Sequence, residues 1–447
     1  MALRIGSGSG WWGDRIAPAA ASAEHGELDY LCFETMAEAT VSAAQVRTQR
    51  DPEFPGYDTY LEERFRAVLP HCLAHGTRII SNQGWVNPLG AARAVRKILD
   101  DMGRPDRKVA AVTGSLVTDR IRDLGTELLE TGGSLDDLRQ DIISAEAYQG
   151  AGAIVAALES GADVVITGRV ADPSLFLAPM MHEFGWAADD LERLGQGAGI
   201  GHLLECGAQV TGGYFADPGF KDVPAPWDLA YPIADVESDG SALLWKIPDT
   251  GGLIDRRTVL EQMFYEIHDP ANYVTPDVVV DFTGARIEDL GGDRVRVSGM
   301  NGKPRPQQLK VSMGVREGFI GEDMFFYAGP GVMAKAQLAE QVLRERLRTA
   351  DLRADELRID FLGVNAIHGA ASPEPVEEPY ELAVRVAARA ATRAEAEKVG
   401  REVDGMGVSG LGSTGKRVPH QDRVREVIGI WSTLIDREAI EPQVHFV

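Results

Sequence analysis

The stretch Ala162-Asp-Val-Val-Ile-Thr-Gly168 decides the predicted fold of the first half of the chain, because it is a short apolar run that ends in glycine. Such a run is typical of a β-strand. Amphipathic, helix-like segments such as Tyr60–His75 and Asn87–Met102 separate it from similar runs. Those other runs are Leu3–Gly6, Leu28–Glu34, Thr77–Asn82 and Lys108–Gly114. The alternation predicts βαβ units and a mostly parallel sheet.

The second half of the chain has a different pattern. Residues 217–276 are richer in Pro, Gly and acids, and we interpret them as an elaborated connection that contains one helix, Leu253–His268. From Val278 onward the predicted elements are the strands Asp293–Ser298, Leu309–Val315, Leu357–Val364, Tyr380–Ala387 and Val424–Trp431 and the helices Ala334–Ala350 and Arg393–Val403. Strands carried on two helices in this order predict a smaller α+β domain.

The length of the chain also favours two domains. A single hydrophobic core stops growing near about 250–300 residues, and this chain has 447 residues, of which 44% are hydrophobic. The predicted fold class is therefore α/β, with an N-terminal mostly parallel βαβ sheet domain and a smaller C-terminal α+β domain. We expect the first domain to span residues 1–280, with the connection 217–276 and the active site, and the second to span residues 281–447.

Charge and composition exclude several classes of protein. The chain has 45 Lys and Arg against 68 Asp and Glu, a net charge of −23, which repels a nucleic-acid backbone. No run approaches the roughly 18 apolar residues of a membrane span, and the charged Arg4 is not followed by the apolar core of a signal peptide. We therefore expect a cytoplasmic protein with no nucleic-acid or membrane partner, which forms homo-oligomers.

Cysteine and histidine spacing predicts neither disulfides nor a metal site. Three cysteines are scattered without a C-x-x-C pair, which indicates reduced thiols. His182, His268 and His368 each occur alone, without the spacing of metal ligands. We expect no metal and no other cofactor.

Arg169 and Asp172 follow the run Ala162–Gly168, so a parallel sheet places them at the carboxyl end of a strand, where ligands bind. The guanidinium of Arg169 offers a planar, charged fork for a carboxylate or phosphate. We predict that Arg169 and Asp172 take part in catalysis. The alternative is that the two side chains pair with each other and fasten the loop before Pro173.

Glu34, Asn82 and Glu146 are further polar residues beside predicted strands or helix starts. Two carboxylates do proton chemistry when their environments move their pKa values apart. We predict that Glu34 and Glu146 are catalytic and that Asn82 binds substrate. The alternative for all three is capping and loop anchoring.

A helical reading of residues 201–207 places His202 and Cys206 four residues apart on one face. A thiolate beside an imidazolium is a competent nucleophile, whereas a cysteine in an apolar helix is more often a small buried side chain. We predict that both residues line the substrate pocket, and that Cys206 is a packed thiol rather than a nucleophile.

Two glycine patterns need separate interpretations. Gly8-Ser-Gly-Trp-Trp-Gly13 fits a dinucleotide-binding fingerprint, but we favour a tight glycine turn in which Gly8 and Gly10 open the substrate site. Gly410-Leu-Gly-Ser-Thr-Gly-Lys416 fits part of a phosphate-binding loop but runs from a predicted helix to a strand, so we expect no ATP hydrolysis. We expect a mobile glycine-rich loop whose Lys416 closes over an anionic substrate; the alternative is a surface loop without function.

Four longer stretches carry a resemblance to a known family. They are Gly201-His-Leu-Leu-Glu-Cys-Gly-Ala-Gln-Val-Thr-Gly-Gly213, Val165-Ile-Thr-Gly-Arg-Val-Ala-Asp172, Tyr265-Glu-Ile-His-Asp-Pro270 and Val295-Arg-Val-Ser-Gly-Met-Asn-Gly-Lys-Pro304. Together they resemble the acyclic terpene utilisation AtuA-like family over nearly the whole chain. The resemblance implies a place in gene clusters that degrade branched acyclic terpenoids through coenzyme A thioesters.

These observations support one main functional hypothesis and two alternatives. The main hypothesis is a catabolic lyase, hydratase or isomerase that acts on a branched organic acid or acyl-CoA thioester by acid/base chemistry. The first alternative is an NAD(P)-dependent oxidoreductase built on Gly8–Gly13 and Glu34. The second is a non-catalytic protein that binds acyl-CoA or completes the complex of another enzyme.

Overall fold

The structure of the protein is a computed structural model that describes residues 2–375, 377–412, 414–416 and 423–447. The chain forms two compact units, Met1–Gly314 with Ile430–Val447 and Val315–Gly429. Residues 281–314 and 430–447 thus belong to the first unit. The division into domains at residue 280 stays a prediction. No helix in the described ranges is long and apolar enough to cross a membrane.

The strands, numbered in chain order, are β1 (Leu3–Gly10), β2 (Tyr30–Glu34), β3 (Arg78–Ser81), β4 (Val109–Thr113), β5 (Ile142–Ala147), β6 (Val164–Thr167), β7 (Ile233–Val236), β8 (Ala242–Trp245), β9 (Tyr273–Val274), β10 (Val279–Asp281), β11 (Arg286–Asp289), β12 (Val295–Ser298), β13 (Asn301–Lys303), β14 (Gln308–Ala328), β15 (Glu356–Leu362), β16 (Glu381–Ala390), β17 (Thr414–Lys416), β18 (Val424–Asp436) and β19 (Gln443–Phe446). The helices are α1 (Ile16–His25), α2 (Glu38–Arg50), α3 (Leu61–His75), α4 (Pro88–Asp101), α5 (Ile121–Leu124), α6 (Gly152–Glu159), α7 (Ser174–Phe184), α8 (Leu191–Glu205), α9 (Arg256–Met263), α10 (Val332–Thr349) and α11 (Arg393–Ser409).

The large sheet of the first unit has a parallel centre in the order β1-β2-β3-β6-β4. All five predicted apolar runs lie in these strands, and every residue of β6 is buried. Helices pack on the centre, since α1 contacts β1 and α4 contacts β4. The predicted alternation of strands and helices is therefore confirmed for this part of the chain.

The prediction of a mostly parallel sheet is too simple for the sheet as a whole. Strands β7, β8, β12 and β11 extend it from β1 in antiparallel pairings, and β19 adds an antiparallel strand beside β4. The sheet is mixed because the extra strands come from short hairpins and from the chain terminus, neither of which forms a parallel crossover.

Residues 217–276, predicted as a connection, contribute β7 and β8 to this sheet. Their helix is shorter than predicted, because α9 begins after Asp255 and ends at Met263. Asp255 accepts hydrogen bonds from the backbone of Arg257 and Thr258, which caps the first turn. Beyond the helix, Glu266 adopts a φ of 60°, a conformation that a residue with a side chain rarely adopts.

The second unit contains an antiparallel sheet in the order β15-β16-β14-β17, and β18 also pairs with β14. Helices α10 and α11 pack on β16, and buried apolar side chains such as Leu343, Val384 and Val399 form the core between them. The two helices and the strands β15, β16 and β18 correspond to predicted elements. Most of their ends lie within a few residues of the predicted ends.

The glycine-rich segment after residue 403 differs from the prediction. Gly405 and Gly407 lie inside α11, which continues to Ser409, rather than in a mobile loop. Lys416 lies at the end of β17, whose backbone pairs with Phe325–Tyr327 of β14. Lys416 lies in a strand rather than at the start of a helix, so the segment lacks the geometry of a phosphate-binding loop. The closure of Lys416 over a substrate stays a prediction, because its side chain and the next residue, Arg417, lie outside the described part of the chain.

Candidate functional site

Two cavities of the first unit lie beside the carboxyl ends of β1, β2 and β6. The first has a volume of about 420 Å³ and the second about 300 Å³. The cavities adjoin, because four carboxylates line both: Glu38, Asp172, Glu205 and Glu266. We call these four residues the shared wall. Ligands bind at this edge in open α/β sheets.

Asp172 forms part of the shared wall, whereas Arg169 lies behind it. The guanidinium of Arg169 is 1% exposed, and its Nη2 donates to Asp172 Oδ1 at 2.9 Å. It also stacks over the ring of Tyr148 at 4.0 Å. Burial raises the pKa of Asp172 to about 6, although the charge of Arg169 counteracts the rise. Asp172 can therefore contact a ligand, and Arg169 acts on the site through Asp172.

Glu34 lines the second cavity and is held by Asn82. Its Oε1 accepts hydrogen bonds from the backbone of Met36 at 2.5 Å and from Asn82 Nδ2 at 3.1 Å. Burial and the nearby Asp172 raise the pKa of Glu34 well above its usual range. Because Oε1 accepts two hydrogen bonds, the proton of the neutral acid belongs on Oε2. Asn82 is fully buried and also accepts from the backbone of Thr35 at 2.8 Å, so it positions Glu34.

Glu146 lies in β5, buried beneath Arg169 and outside the lining of both cavities. Its Oε2 accepts a hydrogen bond from Ser115 Oγ at 2.9 Å, and Oε1 has no partner within the described ranges. Burial raises the pKa of Glu146 to about 7, while Ser115 and Arg169 partly offset the rise. A role in catalysis stays a prediction, since this acid reaches the cavities only through Arg169.

His202 and Cys206 lie at the end of α8, and they do not form a nucleophile–base pair. The ring nitrogens of His202 face Glu205 Oε1 at 2.8 Å and the carbonyl oxygen of Gln262 at 3.0 Å. Burial, followed by the charge of Glu205, raises the pKa of the Cys206 thiol. Cys206 lines the second cavity and His202 lines the first. Cys206 is partly exposed, and its role as a packed thiol stays a prediction.

Gly8 and Gly10 lie inside β1, and the turn of this motif comes directly after them, where the Asp14 amide donates to the carbonyl oxygen of Trp11. A Cβ atom on Gly8 would lie 2.6 Å from the ring of Phe33, and one on Gly10 would lie 2.1 Å from the Cys206 carbonyl carbon. The glycines are thus needed for close packing of the strand. Gly10 lines the second cavity, and its N–H donates to Asp14 Oδ2 at 2.7 Å. The Asp14 carboxylate therefore accepts the hydrogen bond of the amide N–H that a dinucleotide phosphate would use.

Comparison with known protein families matches residues 3–446 to the acyclic terpene utilisation family protein AtuA. The chain belongs to the AtuA family. The match covers nearly the entire sequence and confirms the resemblance drawn from the four motifs. No curated protein matches the sequence. The family description names the use of acyclic terpenes but no reaction, so the chemistry of this AtuA-family chain has to be inferred from its cavities.

Sequence reasoning missed two of the four residues in the shared wall of this AtuA-family protein, Glu38 and Glu266. Glu38, the first residue of α2, accepts a short hydrogen bond from the Tyr148 hydroxyl and lies 3.2 Å from Lys310 Nζ. Burial raises its pKa, but Arg169, Tyr148 and Lys310 outweigh burial and lower it to about 2. Glu266 belongs to the motif 265–270, which indicated the family but no catalytic or binding role for this residue. Glu38 follows β2 but begins a helix, and Glu266 follows α9, so neither stood out as a polar residue at the end of a strand.

The first cavity also has an apolar side. Its apolar lining comes from Ala171, Pro173, Val274, Pro276, Pro306, Leu309 and Leu434. Lys310 is the basic side chain that lines this cavity in the part of the chain that the structure describes. A search of the described residues found no group of three His, Cys, Asp or Glu side chains that could hold a metal ion. The cavity combines an apolar surface with carboxyl groups whose pKa values are shifted in opposite directions, down for Glu38 and up for Asp172 and Glu205.

Proposed function

We propose that this AtuA-family protein is a catabolic enzyme that acts on a branched acyl thioester by acid/base chemistry. The observation that carries the proposal is that Glu34 and Asp172 line the same cavity, where burial raises the pKa of both carboxyl groups and Asp172 alone forms an ion pair with Arg169. A neutral carboxylic acid and an ionised carboxylate in one site form an acid and a base. The reaction class is lyase, hydratase or isomerase, and it needs no redox cofactor.

Asp172 is the proposed base and Glu34 the proposed acid. Arg169 stabilises the ionised form of Asp172 through their hydrogen bond of 2.9 Å. A pKa of about 6 leaves Asp172 ionised at neutral pH and close to the pKa that makes a general base effective. Oε1 of Glu34 accepts the hydrogen bonds of Met36 and Asn82, so the proton on Oε2 is the one assigned to transfer to a substrate atom. Asn82 and Arg169 are then positioning residues for the two catalytic carboxyl groups.

Electrostatics favour a thioester over a free acid as the substrate. Three acids of the shared wall, Glu38, Asp172 and Glu266, line the first cavity together with one cation, Lys310. A free carboxylate in this cavity would be repelled by the excess of negative charge, whereas the acyl part of a thioester is neutral. The apolar lining residues suit a branched hydrocarbon chain.

The alternative of an NAD(P)-dependent oxidoreductase has less support. Asp14 lines the second cavity and accepts the hydrogen bond of the Gly10 amide. A pyrophosphate in that position would have to displace a carboxylate and lie beside Glu34 and Asp172. The glycines of β1 are explained by packing alone.

The proposal is tested by turnover and by proton exchange. Purified protein is incubated with branched acyl-CoA thioesters in D₂O, and deuterium uptake at the carbon next to the carbonyl is followed by NMR. We expect Glu34→Gln and Asp172→Asn each to lower the rate by about 10²–10⁴-fold, as for a lost general acid or base.

The exposed substitutions Glu24→Gln and Asp101→Asn are the matched controls, and we expect them to leave the rate unchanged. Binding of the thioesters by wild-type protein with neither turnover nor exchange would instead identify a non-catalytic acyl-CoA-binding protein. Unchanged rates in both site variants would remove Glu34 and Asp172 from the mechanism.

A further inference from the structure

The hydrogen bonds of His202 determine which of its ring nitrogens carries a proton. Nε2 lies 3.0 Å from the carbonyl oxygen of Gln262. A carbonyl oxygen only accepts hydrogen bonds, so Nε2 must be the donor. In a neutral imidazole the other nitrogen, Nδ1, is then an acceptor. Nδ1 faces Glu205 Oε1 at 2.8 Å, which makes Glu205 the donor in that bond.

A neutral pair is favoured over an imidazolium with a carboxylate. Both side chains are buried, and the rings of Tyr273 and Phe282 pack against the imidazole at 5.1 and 5.9 Å. Burial lowers the pKa of His202 to about 4 and raises that of Glu205 well above its usual range. The charges of Asp172 and Glu266 further oppose ionisation of Glu205, although Arg169 favours it.

The second oxygen of Glu205 is an acceptor without a partner. Oε2 is buried and makes no hydrogen bond to any residue that the structure describes. Glu205 nevertheless belongs to the shared wall of both cavities. Because Oε1 is bonded to His202, Oε2 is the oxygen of Glu205 that is left for a molecule bound in the cavities. A buried acceptor of this kind favours a ligand that brings a donor.

We propose that Glu205, held neutral by His202, accepts a hydrogen bond through Oε2 from a hydroxyl group of the substrate. The site then recognises a hydroxylated branched acyl group without adding a charge beside Asp172. A protein site built to bind a hydroxyl strongly rejects the analogue that lacks it, because its own polar group is left unpaired. This assignment rests on the proposed function for the thioester class. It goes beyond that function by naming the group on the acyl chain that is recognised.

Binding of two matched probes tests the proposal. The dissociation constants of β-hydroxyisovaleryl-coenzyme A and isovaleryl-coenzyme A are measured by calorimetry with the full chain. We expect the hydroxylated probe to bind at least about tenfold more tightly. In Glu205→Gln, the amide nitrogen donates to His202 Nδ1 and the amide oxygen accepts from the hydroxyl, so the preference remains. Glu205→Met keeps a similar size but removes the acceptor, so we expect it to bind the two probes with equal affinity.

The protonation of the pair is tested without any substrate. In ¹⁵N-labelled protein at neutral pH, we expect His202 to show a protonated Nε2 and an unprotonated Nδ1, assigned by the loss of its signals in His202→Asn. A doubly protonated ring, or loss of the probe preference in Glu205→Gln, would overturn the neutral pair. Equal affinity for the two probes in wild-type protein, or no binding of either, would overturn hydroxyl recognition. Absence of turnover alone would count only against the proposed function.

Discussion

At the scale of single residues, a partly exposed glutamate, Glu38, and a buried one, Glu146, show how partners and burial shift the pKa near Arg169. The pKa of Glu38 falls to about 2, because Arg169, the Tyr148 hydroxyl and Lys310 together outweigh burial. The pKa of Glu146 rises to about 7, because Ser115 and Arg169 compensate only part of the cost of burial. Two glutamates near the same arginine thus have pKa values shifted in opposite directions, because their partners and their burial differ.

Glu146 gives a prediction for stability against pH. Its pKa in the folded protein is about 7, above the ordinary value of 4.5, so the folded state binds the proton more tightly than the unfolded state. The contribution to the free energy of unfolding is therefore full below about pH 4.5, is lost as pH rises, and levels off above about pH 7. Summed over this window it amounts to about 3 kcal/mol.

We expect Glu146→Gln to remove this part of the pH dependence. Urea unfolding of wild type and variant is compared at several pH values from about 4.5 to about 8, and the difference between the two free energies should change across the window. The exposed substitution Glu24→Gln serves as the control and should give a constant difference. A constant difference for Glu146→Gln as well would show that this acid titrates normally in the folded protein.

At the scale of elements, β1 is closely packed against the end of α8. The Cα position of Gly10 faces the backbone of Cys206 and Gly207, so the strand has no room for a side chain at that point. This contact brings the end of β1, the Glu34 end of β2 and the carboxyl end of α8 to the same cavity. Gly10, which fitted a dinucleotide-binding fingerprint, is needed for the close contact between β1 and the end of α8.

We expect Gly10→Ala to destabilise the protein by about 1–3 kcal/mol, because the added methyl group meets backbone atoms that cannot move aside. The matched control is Gly152→Ala. Gly152 is the first residue of α6, is exposed, and has no atom within 4 Å of a Cβ added there. In that helical position alanine should be neutral or stabilising by up to about 1 kcal/mol. Chemical unfolding of both variants checks the pair, and equal effects would contradict close packing at Gly10.

At the scale of the whole molecule, the net charge of −23 restricts the partners of the protein. The excess of acids includes the shared wall of the cavities, so the site and the chain carry the same sign. Attraction of a polyanion needs clustered cations that release its counterions, and here acids outnumber bases by 68 to 45.

We therefore expect no binding to double-stranded DNA even at low ionic strength, about 0.01–0.05 M, where electrostatic attraction is strongest. A gel-shift titration with a random-sequence duplex tests this, with a basic DNA-binding protein of similar size as the positive control. A shift of the duplex that weakens steeply as salt is added would show that a local basic surface outweighs the net charge.

The sequence by itself determined the parallel centre of the sheet, the position of Asp172 at the end of a strand, and the family. Short apolar runs and helical periodicity report local burial, and local burial is what selects these elements. The same signals indicated that Glu34 lies at the end of β2. They could not indicate the antiparallel extension by β7, β8, β11 and β12, because pairing between distant short strands leaves no local pattern.

Only the tertiary structure decided which acids meet and in which form. Glu38, Glu205 and Glu266 lie on different elements and are separated by many residues in the chain, yet they share one wall with Asp172. The pKa shifts of Glu38, Asp172 and Glu205 follow from burial and from neighbouring charges and partners, and these arise only when the chain is packed. Local sequence determines which residues form strands and helices, whereas the chemistry of this site depends on long-range contacts that local sequence does not encode.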